Sequence, residues 1–328
     1  MWNNRKFQIG LNIILIIVII FLVFLIIKIS TKKDKESVIT HDNVGSFVFT
    51  NPILDCEINS QGEGLSIFSE NVNSKVEKLK KDYSLSHISL YFRDLNNGPW
   101  IGINEKESFS PASLLKVPIM IEFFHEAEED PSILDKETKI LPSDIQSLNQ
   151  NVQPSSNLIE GEDYTLSEIV EHMIKKSDNI AVAALLRNIN KDNLGNIFRT
   201  VGVPYKDTNN EVEVRVKDYA GFFRILFNAS YLSREMSEKA LGILTQTEYY
   251  DGLVSGVPKE ISVAHKFGER KINGIPNNLQ LHDCGIIYYP DKPYILCIMT
   301  RGNNFVSQSK VISELSSFVY SEVNKNSK

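Results

Sequence analysis

Cysteine is scarce in this sequence of 328 residues, and its spacing argues against two kinds of protein. The only cysteines are Cys56, Cys284 and Cys297, and no two of them have the C-x-x-C spacing of zinc sites and redox motifs. Three cysteines are also too few for the disulfide framework of a small secreted scaffold. Cys284 and Cys297 lie in segments that could form adjacent strands. The sequence leaves open whether they pair, and buried free thiols are the simpler interpretation.

Patterns for a metal centre or a nucleic-acid-binding surface are also missing. The segment "HEAEED" at residues 125–130 lacks the second histidine of an H-E-x-x-H motif, so we expect a solvated helix end there. The chain holds 35 Lys and Arg against 41 Asp and Glu, and residues 1–36 contain six of these bases but only two of the acids. The remainder therefore has 29 bases and 39 acids, a net charge of −10. This acidic body disfavours nucleic acid as a partner. We predict no metal and no other cofactor.

One long apolar run is present, at the N-terminus. Residues 9–27 read "IGLNIILIIVIIFLVFLII", with no charge and one amide, Asn12. The length is close to the roughly 20 residues that a membrane-spanning helix needs. No small-residue cleavage site follows, which favours an uncleaved anchor over a removed signal peptide. We predict a short tail at 1–8, a transmembrane signal anchor at 9–29 that contacts the lipid bilayer, a linker at 30–64 and one folded domain at 65–328.

The charges that flank this run bear on the orientation of the predicted anchor in the membrane. Two bases precede the run, and four lysines follow it closely, at Lys28, Lys32, Lys33 and Lys35. By the positive-inside rule alone, the folded domain would face the cytoplasm.

The hydrophobic periodicity predicts an α+β fold. The segment "HISLYFRDLNNGPWIGIN" has two short apolar runs around an Asn-Gly turn, which is typical of a hairpin. The segment "YTLSEIVEHMIKK" has the period of an amphipathic helix, with a capping box at Thr165 and Glu168. Strand patterns return in "ISVAHKFGE", "HDCGIIYYP" and "PYILCIMTRG". We expect one antiparallel sheet flanked by N- and C-terminal helices, with an all-helical subdomain inserted.

A serine and a lysine stand three residues apart in "SPASLLKVPIM". Ser110 is a suitable N-cap and Pro111 a suitable first helical residue, so Ser113 is expected in the first turn of a helix. Residues i and i+3 are neighbours on a helix, which brings the Lys116 amine within reach of the Ser113 hydroxyl. A lysine activates a serine only if burial or a nearby cation lowers its pKa. A single S-x-x-K pair is common, and by itself it indicates no more than a solvated helix face.

Two later segments make chance a poor explanation. The segment "KKSDNIAVAALL" places Ser177, Asp178 and Asn179 at a junction between two helices, where the aspartate can cap the second helix. The segment "VAHKFGE" places Lys266 and Gly268 on a strand, where a glycine leaves room for a substrate backbone beside an edge strand.

With "SLLK", "SDN" and "KFG" in this order, residues 65–325 resemble the class A β-lactamases and related penicillin-recognising serine hydrolases. The resemblance implies that Ser113 is the nucleophile acylated by an amide carbonyl and that Lys116 is the base that activates it. It implies that Ser177 passes the proton to the leaving nitrogen. Asn179 would hydrogen-bond the substrate and Lys116. Lys266 would hold Ser177 and attract the substrate carboxylate.

The same resemblance implies an oxyanion hole and a strand for the substrate. The backbone N–H groups of Ser113 and Glu269 would form the oxyanion hole. The substrate would lie beside Asn179, Lys266, Phe267 and Gly268. The family usually has Thr or Ser where this chain has Phe267, so a hydrogen bond to a charged group is missing, worth about 1.5–3 kcal/mol. An aromatic residue there favours a different substrate.

A second departure concerns deacylation. Class A β-lactamases have a glutamate followed four residues later by asparagine in a long loop after "SDN". The corresponding segment here, "TVGVPYKDTNNEVEVRVKDYAG", is short, and its glutamates, Glu211 and Glu213, have no such asparagine. Surface charge is the simpler role for both. Without that base the acyl-enzyme should form but hydrolyse slowly.

The sequence thus predicts a monomeric, membrane-anchored serine hydrolase that forms an acyl-enzyme on Ser113 with β-lactam or D-Ala-peptide-like amides and hydrolyses it. Such substrates lie outside the cytoplasmic membrane, so we expect the domain there despite the flanking lysines. One alternative is a D,D-peptidase or penicillin-binding protein with slow deacylation. Another is a catalytically silent binding or sensor domain on a tether. A Ser-His-Asp set completed by His282 and Asp283 is a further, weaker arrangement.

Overall fold

The computed structural model describes residues 47–52, 63–96, 98–147, 150–203, 212–271 and 278–325 of the chain. The helices in these residues are α1 (Glu63–Asp82), α2 (Lys116–Glu129), α3 (Leu166–Lys175), α4 (Asn179–Leu186), α5 (Leu194–Thr200), α6 (Val216–Phe227), α7 (Arg234–Leu244) and α8 (Phe305–Lys325). The strands are β1 (His87–Asp94), β2 (Trp100–Ile103), β3 (Ser108–Phe109), β4 (Glu137–Lys139), β5 (Asp163–Thr165), β6 (Val214–Arg215), β7 (Val263–Lys271), β8 (Leu279–Ile287) and β9 (Tyr294–Gly302).

The principal sheet is antiparallel and has the strand order β2-β1-β9-β8-β7. Its first two strands come from the N-terminal part of the domain and its last three from the C-terminal part. The pairing of β1 with β9 therefore closes the domain. Because β7 is the last strand in the order, one of its edges is left for other contacts. Two short ribbons, β3 with β6 and β4 with β5, were not apparent from the sequence. Because β4 and β5 lie between helices α2 and α3, the prediction that the inserted part is all-helical is wrong.

The sheet is covered on both faces, as expected from the sequence. On one face α1 and α8 form a core with the sheet that includes Phe68, Val72, Val311 and Leu315. On the other face the inserted helices α2 to α7 form a second core with the sheet. The strands β8 and β9 are buried almost throughout because they meet apolar side chains on both sides. The predicted α+β architecture is confirmed for the described residues.

The hairpin, the capping box and the amphipathic helix that the sequence predicts are all present. Strands β1 and β2 form the predicted hairpin. Helix α3 begins with the predicted capping box, in which the Thr165 hydroxyl accepts from the Glu168 N–H and the Glu168 carboxylate accepts from the Thr165 N–H. The buried face of α3 consists of Leu166, Ile169, Val170, Met173 and Ile174, the face read from the sequence.

The proposed N-cap role of Ser110 is wrong. A 3₁₀ turn, Ala112–Leu115, precedes α2, and no side chain caps it. The Ser110 N–H instead donates to the Gln280 side chain at 3.0 Å, and its hydroxyl accepts from Arg270 at 2.6 Å. Ser110 therefore fastens the start of this turn to strands β7 and β8.

The predicted tail at 1–8, anchor at 9–29 and most of the linker at 30–64 lie outside the described residues. Among the described residues, no helix combines the length and apolar character that a bilayer crossing requires. Residues 47–52 fall within the predicted linker, and they contact the helical part of the domain. The Glu238 carboxylate accepts from the N–H groups of Phe49 and Thr50 at 2.7 and 2.9 Å, and the Asn51 N–H donates to the Phe227 carbonyl.

The sequence left the pairing of two cysteines open, and the structure joins Cys284 and Cys297 in a disulfide. The register of β8 and β9 places these residues directly opposite each other, and both are fully buried.

Removal of the capping box should destabilise the domain without affecting its core. We expect Thr165→Ala to lower the free energy of unfolding by about 1 kcal/mol, because an N–H at the start of α3 loses its acceptor. The measurement is urea unfolding followed by circular dichroism. Thr200→Ala is the control, since that exposed hydroxyl only donates to a carbonyl within its own helix, and its effect should stay within about 0.5 kcal/mol. Equal losses in the two variants would contradict the assignment.

Candidate active site

Ser113 and Lys116 are held in one continuous turn at the start of α2. The Lys116 N–H donates to the carbonyls of Ser113 and Leu114. In 3₁₀ geometry the side chains at i and i+3 are eclipsed, so both residues project on the same side. Ser113 is half-buried, and within the described residues its hydroxyl makes no hydrogen bond. The hydroxyl is therefore available to an incoming substrate.

The Lys116 amine is buried and directed at the "SDN" turn. Its Nζ lies 2.5 Å from the Ser177 carbonyl, 2.8 Å from Asn179 Oδ1 and 3.1 Å from Ser177 Oγ. Only 3% of the residue is exposed. The structure thus brings together three of the predicted residues that are up to 63 positions apart in the chain.

Burial lowers the pKa of Lys116 to about 7, while the negative charges of Asp178 and Glu269 limit the fall. A neutral amine has two N–H donors and one lone pair. Two acceptors, the Ser177 carbonyl and Asn179 Oδ1, are in place for the two donors. The hydroxyl in hydrogen-bonding distance is that of Ser177 at 3.1 Å, and within the described residues no hydrogen bond joins Lys116 to Ser113. A neutral Lys116 has a lone pair that can accept a proton. This is the property that a general base for a serine requires.

Lys266 approaches the same hydroxyl from strand β7. Its Nζ lies 2.9 Å from Ser177 Oγ and 3.0 Å from the Phe267 carbonyl. Lys266 is fully buried, and burial together with the positive charge of Lys116 holds its pKa well below the usual lysine range. Both amines are thus in hydrogen-bonding distance of one hydroxyl oxygen, whose two lone pairs can accept from each.

The backbone around both serines is unusual. Ala112 and Ser177 have φ values of +50° and +57°, in the left-handed region that residues with a side chain rarely occupy. Each stands at a point where the chain turns sharply, Ala112 just before Ser113 and Ser177 just after α3. Such conformations cluster at functional sites, where the surrounding structure holds them in place.

The buried carboxylate of Asp178 fixes the "SDN" turn. It accepts from the Ile180 N–H at 2.8 Å, which caps α4 as predicted, and from the Leu158 N–H at 2.9 Å. Gln150, which the sequence did not suggest, adds a third support, since its Nε2 donates to the Ser177 carbonyl at 2.8 Å.

Gly268 lets the edge of β7 approach the turn that contains Ser113. A Cβ at this position would lie 2.7 Å from the Pro111 carbonyl oxygen and 3.0 Å from the Leu114 backbone nitrogen. These distances exclude any side chain without a backbone shift. The glycine was predicted to leave room for a substrate, and in the structure the space is taken by the chain itself.

Phe267 does not present its ring to the cleft. The residue is 4% exposed, and its ring stacks on Tyr249 with centroids 4.2 Å apart. The Lys266 amine lies 4.0 Å from the centroid of the Phe267 ring. A contact of Phe267 with a substrate would therefore have to come from its backbone.

Glu269 makes contacts that the sequence did not indicate. Its backbone N–H is the predicted oxyanion donor, which stays a prediction. Its Oε1 accepts from the N–H groups of Asn151 and Val152 at 2.6 Å each. Those residues come from a segment 117 positions earlier in the chain, so no local pattern could have indicated the contact.

The weaker arrangements find no support. The ring nitrogens of His282 meet the Ser110 carbonyl and the Thr300 N–H, and burial lowers its pKa to about 3. Asp283 instead pairs with His265 at 2.8 Å, so no Ser-His-Asp set forms. Glu213 is exposed, and Glu211 lies outside the described residues. Among the described residues, no cluster of His, Cys, Asp and Glu could hold a metal ion.

Fold and site together define the class of protein, a serine hydrolase of the penicillin-recognising superfamily. The β-lactamase enzyme family matches residues 71–323, about three quarters of the chain, and the chain belongs to this family.

Solved structures with the same fold are similar to this chain at low sequence identity. PBP-A is 22% identical with a TM-score of 0.65, covering 78% of this chain and 96% of its own. A β-lactamase from Chitinophaga pinensis is 18% identical with a TM-score of 0.67, covering 77% of this chain and 99% of its own. The extended-spectrum β-lactamase TLA-1 is 19% identical with a TM-score of 0.68, covering 78% and 99%. No curated protein sequence matches the chain.

The close approach at Gly268 yields a stability prediction. Gly268→Ala should lower the free energy of unfolding by about 1–3 kcal/mol, because the added methyl meets backbone atoms that cannot rotate away. Gly302→Ala is the matched control in the same sheet, where the nearest atoms are side-chain atoms at 3.3 Å or more. Chemical denaturation of both variants measures the difference. If the Gly268→Ala protein is as stable as the control, strand β7 does not pack closely against the turn that contains Ser113.

Proposed function

We propose that this chain is a membrane-anchored serine hydrolase that forms an acyl-enzyme on Ser113 with β-lactams or D-Ala-peptide-like amides and then hydrolyses it. The observation that supports this most directly is the approach of two buried amines, Lys116 and Lys266, to within 3.1 and 2.9 Å of Ser177 Oγ. A surface S-x-x-K pair would not need a second lysine or a buried hydroxyl between the two.

In the proposed acylation, the Ser113 oxygen attacks the amide carbonyl while its proton passes to the Lys116 nitrogen. The tetrahedral intermediate then collapses, and the bond between carbonyl carbon and nitrogen breaks. The leaving nitrogen receives a proton from the Ser177 hydroxyl, which regains one from a lysine amine. The backbone N–H groups of Ser113 and Glu269 are the donors that we assign to the oxyanion. Asn179 keeps the Lys116 amine oriented through the 2.8 Å hydrogen bond.

The fate of the acyl-enzyme separates a β-lactamase from a D,D-peptidase. In the segment after "SDN" neither Glu211 nor Glu213 has the family's asparagine four residues later, and the exposed side chain of Glu213 supports the slow alternative. PBP-A, which has the same fold, is described in a structure of its mutant as an acyl-enzyme complex with penicillin G. A penicillin-binding protein with slow deacylation is therefore the second candidate.

The proposed location is the outer side of the cytoplasmic membrane, with residues 9–29 as the anchor. The buried disulfide between Cys284 and Cys297 supports this location, because such bonds persist in oxidising compartments and are rare in the cytosol. It is an observation independent of the flanking lysines.

Acylation can be tested by intact-mass spectrometry of the full chain in detergent with excess benzylpenicillin. We expect an increase by the mass of the intact drug, located on Ser113 by peptide mapping and absent in Ser113→Ala. Ser132→Ala, at an exposed serine in the 3₁₀ turn that follows α2, is the control and should acylate like the wild type. An adduct that persists for hours supports the penicillin-binding protein, and one that vanishes with opened drug supports the β-lactamase. No adduct, or one equally formed by Ser113→Ala, would favour the silent binding domain.

The pH dependence of acylation provides a second test. Lys116 is a base only when neutral, and with a pKa of about 7 its neutral fraction rises as the pH rises through 7. The rate constant for acylation should therefore increase about tenfold between pH 6 and pH 8 and level off above, as expected for one deprotonation. Stopped-flow measurement with a chromogenic β-lactam between pH 5.5 and 9 gives the profile. A rate that is flat or falls over this range would contradict the role of Lys116.

A further inference from the structure

A short segment of the helical subdomain, Gln150–Val152, bridges to the sheet at the entrance of the site. The Gln150 side chain donates to the Ser177 carbonyl at 2.8 Å. Two residues on, Val152 packs against the core that the sheet forms with α1 and α8. The segment therefore spans from the "SDN" turn to the sheet, between the parts of the protein that flank Ser113.

Glu269 fastens this segment to β7. Its Oε1 accepts two backbone N–H groups, from Asn151 and Val152, at 2.6 Å each. Its Oε2 is buried and has no partner among the described residues. Two short hydrogen bonds from main-chain N–H groups fix the carboxylate in position. Its second oxygen is a buried acceptor without a hydrogen-bond donor among the described residues.

The charge of Glu269 acts on the catalytic amines. It is one of the charges that raise the pKa values of Lys116 and Lys266 against the stronger effect of burial. Lys266 is the cation expected to attract a substrate carboxylate, and this chain already provides a carboxylate nearby. The neighbouring Phe267 adds no hydroxyl donor that would offset the repulsion, and its ring is buried against Tyr249.

We propose that Glu269 is a specificity-determining residue whose fixed carboxylate makes the site prefer substrates that are neutral or cationic where penicillins have their carboxylate. This inference rests on the proposed function, since it concerns acylation of the same Ser113. A second carboxylate brought next to Glu269 is repelled, and the buried Lys266, whose pKa is lowered, has less positive charge to offset the repulsion. A neutral ester or amide at that position is not repelled.

The test compares benzylpenicillin with its methyl ester, which differ in this one charge. Acylation rates of the full chain are measured by intact mass, and each is divided by the uncatalysed hydrolysis rate of the same compound. For the wild type, the normalised acylation rate of the ester should be at least about ten times that of the acid, and this quotient is the ester-to-acid ratio. Glu269→Gln, which keeps length and removes charge, should reduce this ratio by about tenfold.

Two control variants separate charge from structure. Glu269→Asp keeps the charge but shortens the reach to Asn151 and Val152, and it should retain the wild-type ratio. Glu248→Gln removes an exposed carboxylate that accepts from Ser155, and it should retain the ratio as well. A general loosening of the segment would change Glu269→Asp and Glu269→Gln alike, and that result would overturn the proposal.

The remaining outcomes are distinct. A wild-type ratio below one, or one that Glu269→Gln leaves unchanged, would overturn the inference while acylation by both compounds sustains the proposed function. If Glu269→Gln does not fold, the wild-type ratio alone supports or overturns the inference. Absence of an adduct on Ser113 with both compounds would overturn the proposed function and the inference together.

Discussion

The site depends on the burial of two lysine amines around one serine hydroxyl. An isolated ammonium group pays a large desolvation penalty in the interior, and two of them 2.9 and 3.1 Å from the same oxygen also repel each other. The arrangement is stable when at least one amine is neutral. Lys116 meets this condition through its pKa of about 7, with an acceptor for each of its two N–H groups. The neutral state that allows Lys116 to be buried is also the state that a general base requires.

The surrounding backbone maintains this contact. The Lys116 amine is aimed by the Ser177 carbonyl, and that carbonyl points inward because Ser177 adopts a left-handed conformation. The conformation is held in turn by the Asp178 carboxylate, which takes up two N–H groups, and by Gln150. On the opposite side, only glycine at position 268 allows β7 to come close enough for Lys266 to reach the hydroxyl. Each support stands in a different segment of the chain.

This distribution explains what could be predicted from the sequence. Period and capping rules are local, so the helix with Thr165 and Glu168, the hairpin and the closing strands were predicted correctly. The order of "SLLK", "SDN" and "KFG" identified residues that the fold brings together. Contacts between distant segments had no such signal. The link from Ser110 to Gln280, the link from Glu269 to Asn151 and the inward ring of Phe267 all depend on packing that no short pattern encodes.

Phe267 and Glu269, both on strand β7, become intelligible when they are considered together. Loss of a hydroxyl at position 267 alone would weaken the attraction of a substrate carboxylate, and the ring of Phe267 is stabilised instead by Tyr249 and the Lys266 amine. In the proposed specificity, the carboxylate at position 269 supplies, from within the protein, a negative charge near the two amines. Burial lowers the pKa of both amines, and Glu269 opposes the fall at both of them, together with Asp178 at Lys116 and Asp283 at Lys266. We therefore expect a protein that acylates with the residues of its family but admits a substrate of a different charge.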